Sequence, residues 1–427
     1  SPVAEPLKMT PVGKVRPPIS PHRFDPWTLS PKENWKQLTC WLASLKGEDP
    51  FNLFGIFWVL LSPLLALYGL FVTPYFTNTI IFTIVFYFWS AVSLTGGYHR
   101  LFSHKTYSVN SFWKFIILLV SSSTMQGTVV VWARNHRAHH RYMDTEKDPY
   151  DATKGFWWSH EGWAIQQHRP ENMSEIDISD LTSDPVVMFC HNYYGPLALL
   201  SGVAFPSVFC GLMWGDYAGG FWLGGIVRIV LFLQCTFLIN SLAHYTGHKD
   251  YNENITPVDN WLANFLTMGE GYHNFHHAFP YDYRGTDVKG RFDPARWIID
   301  VMSFLGIAKD AKRFPDELIE YVKLETLQRK LAKRSQRLAP CPPASELPLM
   351  SSEDVRRRAL EGACLIIVEG LVHDVTKFLP EHPGGEAIIR AYFGKDATQA
   401  FNGNLVKHST LARTVLASTT IARIKDH

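Results

Sequence analysis

The chain is poor in cysteine: six in 427 residues, none in a CxxC pair. That excludes a disulfide framework and a thiolate zinc ribbon, and points to reduced thiols facing cytosol or lipid. Charge of one sign is also missing, since 41 Lys+Arg balance 39 Asp+Glu for a net +2. A nucleic-acid binder is normally strongly basic, so that class is excluded. No GxGxxG or other nucleotide-binding motif occurs. No apolar run precedes residue 51, so no cleavable signal peptide is expected.

Charge is absent locally as well. Residues 51–98, a run of 48, contain no Asp, Glu, Lys or Arg and are broken only by Pro63 and the turn Thr73-Pro74-Tyr75-Phe76. A spanning helix needs about 20 apolar residues, so the run predicts two spans joined by a tight turn. Between Pro185 and Arg228 the only charge is Asp216. Two further spans follow, near 192–213 and 219–240. The short loops within each pair carry no Lys or Arg, whereas tracts 1–50, 99–184 and 245–427 hold nearly all of them. The positive-inside rule therefore puts the short loops on the far side and both termini in the cytosol. Residues 115–133 are also uncharged and long enough to span. A crossing there would separate His99 and His104 from His136, His139 and His140, so the segment is expected at the interface or beneath the polar head. Arg228 is an intramembrane charge with no partner legible in the sequence.

Histidine is concentrated. Eight of 18 fall in three boxes: His99-Arg-Leu-Phe-Ser-His104, His136-Arg-Ala-His139-His140 and His273-Asn-Phe-His276-His277. On a helix, positions i, i+3 and i+4 share a face, so each HxxHH aims at least two imidazoles one way. Eight nitrogen donors exceed what one ion takes, and two metal ions are expected. Imidazole alone suits Fe, Zn, Cu or Ni. A carboxylate-bridged bundle site needs paired Glu-x-x-His motifs. Only Glu270-Gly-Tyr-His273 is available, so Glu270 is expected to orient an imidazole instead. His244, with Asn240 four residues before it, falls level with the boxes at the end of the fourth span; capping competes with ligation there, and His248 is a further possibility.

Residues 322–337 carry six Lys/Arg and end at a Pro-Cys-Pro-Pro breaker. Beyond it, Leu365–Val368, Glu369-Gly370 and Leu371–Val375 predict strand, turn and strand. His382-Pro-Gly-Gly385 and His408 could be the two axial ligands of a haem. Through VHDVTKFLPEHPGG and GKDATQAF this segment resembles a cytochrome b5 domain, with His382 and His408 at the haem-ligand positions. Cys364-Leu365 stands where that family usually has Trp.

With that module in place, HRLFSH, ARNHRAHH, NSLAH and GEGYHNFHH, in this order between these spans, resemble the membrane acyl-CoA Δ9 desaturases, and the fused b5 domain resembles their fungal form. The resemblance implies a mainly α membrane protein with four transmembrane helices, a cytosolic helical His-box head and a small α+β b5-like domain. Its segments would be 1–50 (cytosolic N-terminal segment), 51–335 (desaturase), 336–350 (linker) and 351–427 (haem domain). It implies two non-haem Fe ions held by His99, His104, His136, His139, His140, His244, His273, His276 and His277, with Asn240 acting through water, and haem b on His382 and His408. Gln126, Trp132 and Thr236 match acyl-tunnel positions, and Arg134 and Asn135 match an Arg-Asp pair at the CoA, where Asn135 has lost the carboxylate. The basic pair for the CoA phosphates falls at Gln167 and His168, with Arg169 the nearest cation. The implied reaction removes hydrogen from C9 and C10 of a long-chain acyl-CoA, using O2 and two external electrons. Those electrons would come through the b5 haem from an NADH-cytochrome b5 reductase, at the endoplasmic reticulum membrane and in contact with membrane lipid. Three other readings were open. A hydroxylase or sphingoid-base desaturase would need different box spacing, an electron carrier would hold iron only as haem, and a metal transporter would place its ligands inside the spans.

Overall fold

The computed structural model describes residues 52–166, 173–337, 341–403 and 408–425. It divides into two units, residues 1–327 and 328–427. The N-terminal tract to residue 51 and the positions Gln167, His168 and Arg169 lie outside the described residues.

Among the described residues of the first unit four helices are long and apolar enough to cross a membrane: α1 (Leu53–Val72), α2 (Thr77–Ser103), and two more labelled below. Between α2 and the second pair come α3 (Ser111–Ser122), α4 (Val129–Tyr142) and α5 (Pro185–Asn192). The second pair is α6 (Tyr194–Trp214) and α7 (Tyr217–Tyr245). After α7 come α8 (Trp261–Leu266), α9 (His273–Ala278), α10 (Pro294–Phe304) and α11 (Asp316–Arg337), the division between units falling within α11.

The turns form where the sequence cannot continue a helix. Thr73-Pro74 ends α1, and Gly215, at φ +80°, closes α6 before the Asp216 side chain caps α7 by accepting from Gly219 N–H at 2.8 Å. Pro63 is accommodated inside α1 because the turn before it, Phe57–Leu61, is π-helical. The uncharged stretch 115–133 does not cross. It breaks after Ser122, and its two parts, α3 and the start of α4, pack in one core with Leu94, Tyr98 and Leu101 of α2. The long spans α2 and α7 rise beyond the predicted boundaries, and all of Leu94–Ser103 is buried. Outside that end the spans show apolar faces, with Leu53, Phe71, Ile84 and Leu212 exposed, which suits a lipid surround.

Arg228 is 1% exposed in α7 and finds its partners mostly in backbone carbonyls. It donates to Gly224 O (2.7 Å), Ser123 O (2.9 Å), Gly202 O (3.2 Å) and Ser90 Oγ (3.0 Å), and lies over the Phe86 ring. The charge therefore ties three spans to the turn after α3.

The second unit is built on a four-stranded sheet of order β1-β4-β3-β2: β1 (Leu349–Met350), β2 (Leu365–Val368), β3 (Leu371–Asp374) and β4 (Thr420–Ile424). The predicted hairpin is present, antiparallel, with Glu369 and Gly370 both at positive φ. Helices α12 (Ser352–Leu360), α13 (Glu386–Arg390), α14 (Thr398–Asn402) and α15 (Thr410–Ser418) surround it. Every residue of β2 is buried, Leu365 and Ile367 toward one apolar cluster and Ile366 and Val368 toward another. Leu365 packs in the first of these clusters and Cys364 against the second.

Candidate metal centre

The histidine boxes converge on two adjacent clusters. His99, His104, His136, His140 and His276 form one, and His139, His244, His273 and His277 the other; within each, donor nitrogens lie no more than 4.8 Å apart. The partition follows helix geometry. On α4, His136 and His140 are one turn apart and share a cluster, while His139, rotated away by about 100° from His140's direction, reaches the second. On α9 the roles invert: His273 and His277 share the second cluster and His276 serves the first. His99 and His104 are five apart, a spacing an α-helix would splay. Here Leu94–Ser103 is π-helical, and His104 N–H donates to His99 O at 3.1 Å. A wider turn brings i and i+5 into line.

Buried polar groups fix the tautomers. Glu270 Oε2 is 2.6 Å from His99 Nδ1, as expected of Glu270, and Asp148 Oδ1 is 2.9 Å from His139 Nδ1. Thr256 Oγ1 gives its own proton to Asp144, so it accepts from His244 Nδ1–H at 2.7 Å. Arg100, 3% exposed, holds Glu270 (3.4 Å) and Asp293 (2.9 Å) in place. With the Nδ1 protons of His139 and His244 committed and His99 Nδ1 facing the Glu270 carboxylate, these rings turn Nε2 lone pairs inward. His99 Nε2 lies 3.0 Å from His276 Nε2, His139 Nε2 lies 3.2 Å from His277 Nε2, and His244 Nε2 is buried with no hydrogen-bond partner. Lone pairs facing one another in a dry site fit metal ions. Burial, reinforced by neighbouring imidazoles, pushes His136, His140, His273, His276 and His277 well below the ordinary imidazole range, keeping them neutral. Burial acts the same way on His139, but the Asp148 carboxylate outweighs it and its basicity rises.

Beside the clusters lies a cavity of about 640 Å³ whose wall includes His99, His136, His139 and His273. Gln126, Trp132, Arg134, Asn135, Thr236 and Asn240 all line it. Gln126 Nε2 donates to Thr236 Oγ1 at 2.8 Å, and the Trp132 ring stacks on His136 with centroids 5.1 Å apart. Arg134 Nε is buried there without a partner. His248 stands apart, exposed and in neither cluster. Asp148, Asp144 and Thr256 escaped sequence reasoning. Only the nine-residue step from His139 to Asp148, inside a polar loop, hinted at one of them.

Residues 78–284 match the model of the family described as "Fatty acid desaturase", and residues 351–425 match "Cytochrome b5-like Heme/Steroid binding domain". The "Probable acyl-CoA desaturase" of Schizosaccharomyces pombe is 38% identical over 94% of this chain and 80% of its own length. The chain belongs to the fatty acid desaturase family. Similar to this desaturase as well are "Acyl-CoA desaturase 1" of Saccharomyces cerevisiae (38% identical, 94% of this chain, 76% of that protein) and "Delta(9)-fatty-acid desaturase fat-6" of Caenorhabditis elegans (38%, 57% and 73%). The desaturase is thus an oxidoreductase and a multi-pass membrane protein, with a diiron pair and a haem b as its cofactors.

In the second unit of the desaturase both histidines singled out in the sequence are held by backbone carbonyls. His382 Nδ1 is 3.2 Å from Gly385 O and His408 Nδ1 is 2.8 Å from Phe401 O, so both rings keep Nε2 available. A Cβ on Gly384 would sit 2.9 Å from the His382 ring, which explains glycine in HPGG. Ile388 and Leu411 are 56% and 72% exposed, apolar surface that suits a haem face.

Proposed function

We propose that this chain inserts a cis double bond at Δ9 of saturated long-chain acyl-CoA, such as stearoyl-CoA or palmitoyl-CoA, using O2. The observation that carries this reading is a single cavity whose wall includes histidines of both clusters. An unactivated methylene offers nothing to acid–base or nucleophilic catalysis. The diiron pair, when bound, supplies the oxidising power for hydrogen abstraction. His99, His104, His136, His140 and His276 hold one iron. His139, His244, His273 and His277 hold the other, with Asn240 contributing through water. The residues do the rest. Glu270, Asp148 and Thr256 keep three imidazoles in the right tautomer. The Gln126–Thr236 bridge and Trp132 constrain the acyl chain and so select which methylenes stop beside the histidines. Arg134 and Asn135 meet the CoA portion, Arg134 by its unpartnered guanidinium nitrogen.

The segments are 1–50, a desaturase domain at 51–335, a linker at 336–350 and a haem domain at 351–427. His382 and His408 would hold the haem, which when bound would supply one-electron chemistry, with an NADH-cytochrome b5 reductase as the electron donor. The site is the endoplasmic reticulum membrane, the four spans lie among membrane lipid, and both termini face the cytosol. The S. pombe and S. cerevisiae relatives, whose matches cover 94% of the chain, support coupling of the two domains in one polypeptide. The test is direct: stearoyl-CoA, NADH and b5 reductase are supplied to the purified chain and oleate is followed by gas chromatography. Absence of monounsaturated product in a sample holding both irons and haem overturns the substrate assignment.

A further inference from the structure

Helix α10 turns its apolar side outward. Its inner face, Pro294, Ala295 and Ile299, is buried, and Ile299 joins the core formed with Leu94 and Tyr98 of α2. Its outer face shows Trp297 (47% exposed), Val301 (53%), Phe304 (90%) and Leu305 (62%). That is the i, i+4, i+7, i+8 stripe by which an amphipathic helix normally meets a core, here left in the open. The neighbouring α8 repeats the pattern with Trp261 (75%) and Phe265 (54%). The two faces are continuous: the Phe292 ring lies 5.4 Å from Phe265 and 5.6 Å from Trp297.

The level of this surface is set by α2. Tyr87 Oη donates to Leu266 O, the last residue of α8, at 2.6 Å. Tyr87 is ten residues into α2 from Thr77, which is about 15 Å along the axis. Thr95, eighteen residues in and about 27 Å along, donates to Thr267 O at 3.1 Å, and a hydrocarbon core is about 30 Å thick, so the end of α8 lies within the cytosolic half of the bilayer. The lipid-facing side of α2 runs to the same place, with Ile84 64%, Val85 48% and Trp89 48% exposed, before α2 becomes wholly buried from Leu94. Beyond α10 the chain emerges at Lys309, Lys312 and Arg313, all exposed, which suits anionic headgroups. Tryptophans at Trp261 and Trp297 suit the interfacial belt.

We infer that α8 and α10 form a monotopic lipid-embedded surface: their outer faces sit in the cytosolic leaflet beside α2, so that the catalytic head is sunk into the bilayer as well as tethered by four spans. This orientation rests on the cytosolic placement of the head proposed above, and the lipid contact itself does not depend on the substrate assignment.

The experiment uses the full-length holoprotein in nanodiscs of phosphatidylcholine and phosphatidylserine. One sample carries a phosphatidylcholine with a diazirine in the upper acyl chain, a second a water-soluble diazirine, and labelled peptides are mapped by mass spectrometry. Lipid-borne label on 261–266 and 297–305 at a yield similar to that on α1, and several-fold weaker aqueous label, is the expected result. Aqueous labelling of those residues overturns the inference. So does protection from both reagents, which would mean a protein surface, such as a second copy, covers the stripe. The Phe304→Glu variant, checked by its haem spectrum and melting temperature, is expected to lose several-fold of the lipid label on 297–305 while α1 keeps its own. Desaturase activity is measured on the same samples, so failure of the substrate reading and failure of this inference are told apart.

Discussion

Replacing Thr256 by Val tests the second cluster without touching a ligand. Thr256 Oγ1 donates to Asp144, which leaves it only as an acceptor for His244 Nδ1–H at 2.7 Å. Val keeps the volume and removes that acceptor. The His244 Nδ1–H is then buried with no partner, at a cost of about 1–3 kcal/mol. The ring can recover by flipping or by moving its proton to Nε2, and either change withdraws the lone pair from the cluster. An affinity loss of roughly 10–100-fold at that iron follows, the range typical of removing a group that orients a ligand. The assay is non-haem iron per haem after a timed chelator challenge. The haem band serves as the internal standard because it belongs to the other unit. The variant is expected to fall from two irons toward one while Thr256→Ser keeps both. If Thr256→Val retains both irons at the unaltered release rate, the hydrogen-bond chain does not set the His244 tautomer and the ligand role given to His244 fails with it.

The remaining predictions concern the other parts of the site. His139→Ala should abolish desaturated product and leave the haem spectrum unchanged; continued turnover would overturn the metal reading. His408→Ala should do the converse, losing haem and NADH-driven turnover while non-haem iron stays bound. Thr236→Val removes the 2.8 Å bond to Gln126, worth about 1 kcal/mol, and should spread the product over neighbouring double-bond positions by several-fold, read by mass spectrometry of derivatised esters. For the chelated chain, stability should fall as pH drops through 6.5. Five imidazoles are held below their unfolded basicity by burial, so the unfolded state binds more protons, each group contributing up to about 1.4 kcal/mol per pH unit. Asp259, raised to about 7 by burial, acts with the opposite sign, as do His139 beside Asp148 and the buried Asp144, Asp151 and Glu161. The five imidazoles, whose titration in the unfolded chain falls at about pH 6.5, are expected to dominate between pH 7 and 5.5. A melting temperature that holds steady from pH 7 to 5.5 would refute this account.

The spans were legible because the bilayer demands a long uncharged run, and 51–98 supplies one with few alternatives. The nine histidines of the two clusters were legible as a set, eight from box spacing and His244 only through family resemblance. Their division into five and four was not. Spacing places His136, His139 and His140 on one side of a helix, and only the position of α9 opposite α4 decides which ring serves which ion. The pairing of His99 with His104 was hidden for another reason. Sequence offers no mark of a π-helical turn, and on a regular helix the two would diverge. Glu270 was visible because it stands three residues from a box. Thr256 and Asp144 are loop residues 112 apart, joined by tertiary contact alone.

The crossed division of the two HxxHH boxes would make two bound irons mechanically dependent. Each of α4 and α9 gives two rings to one cluster and one to the other, so a small roll of either helix shifts donors in both clusters at once. Loss of one ion from such a site would disturb rings that hold the other.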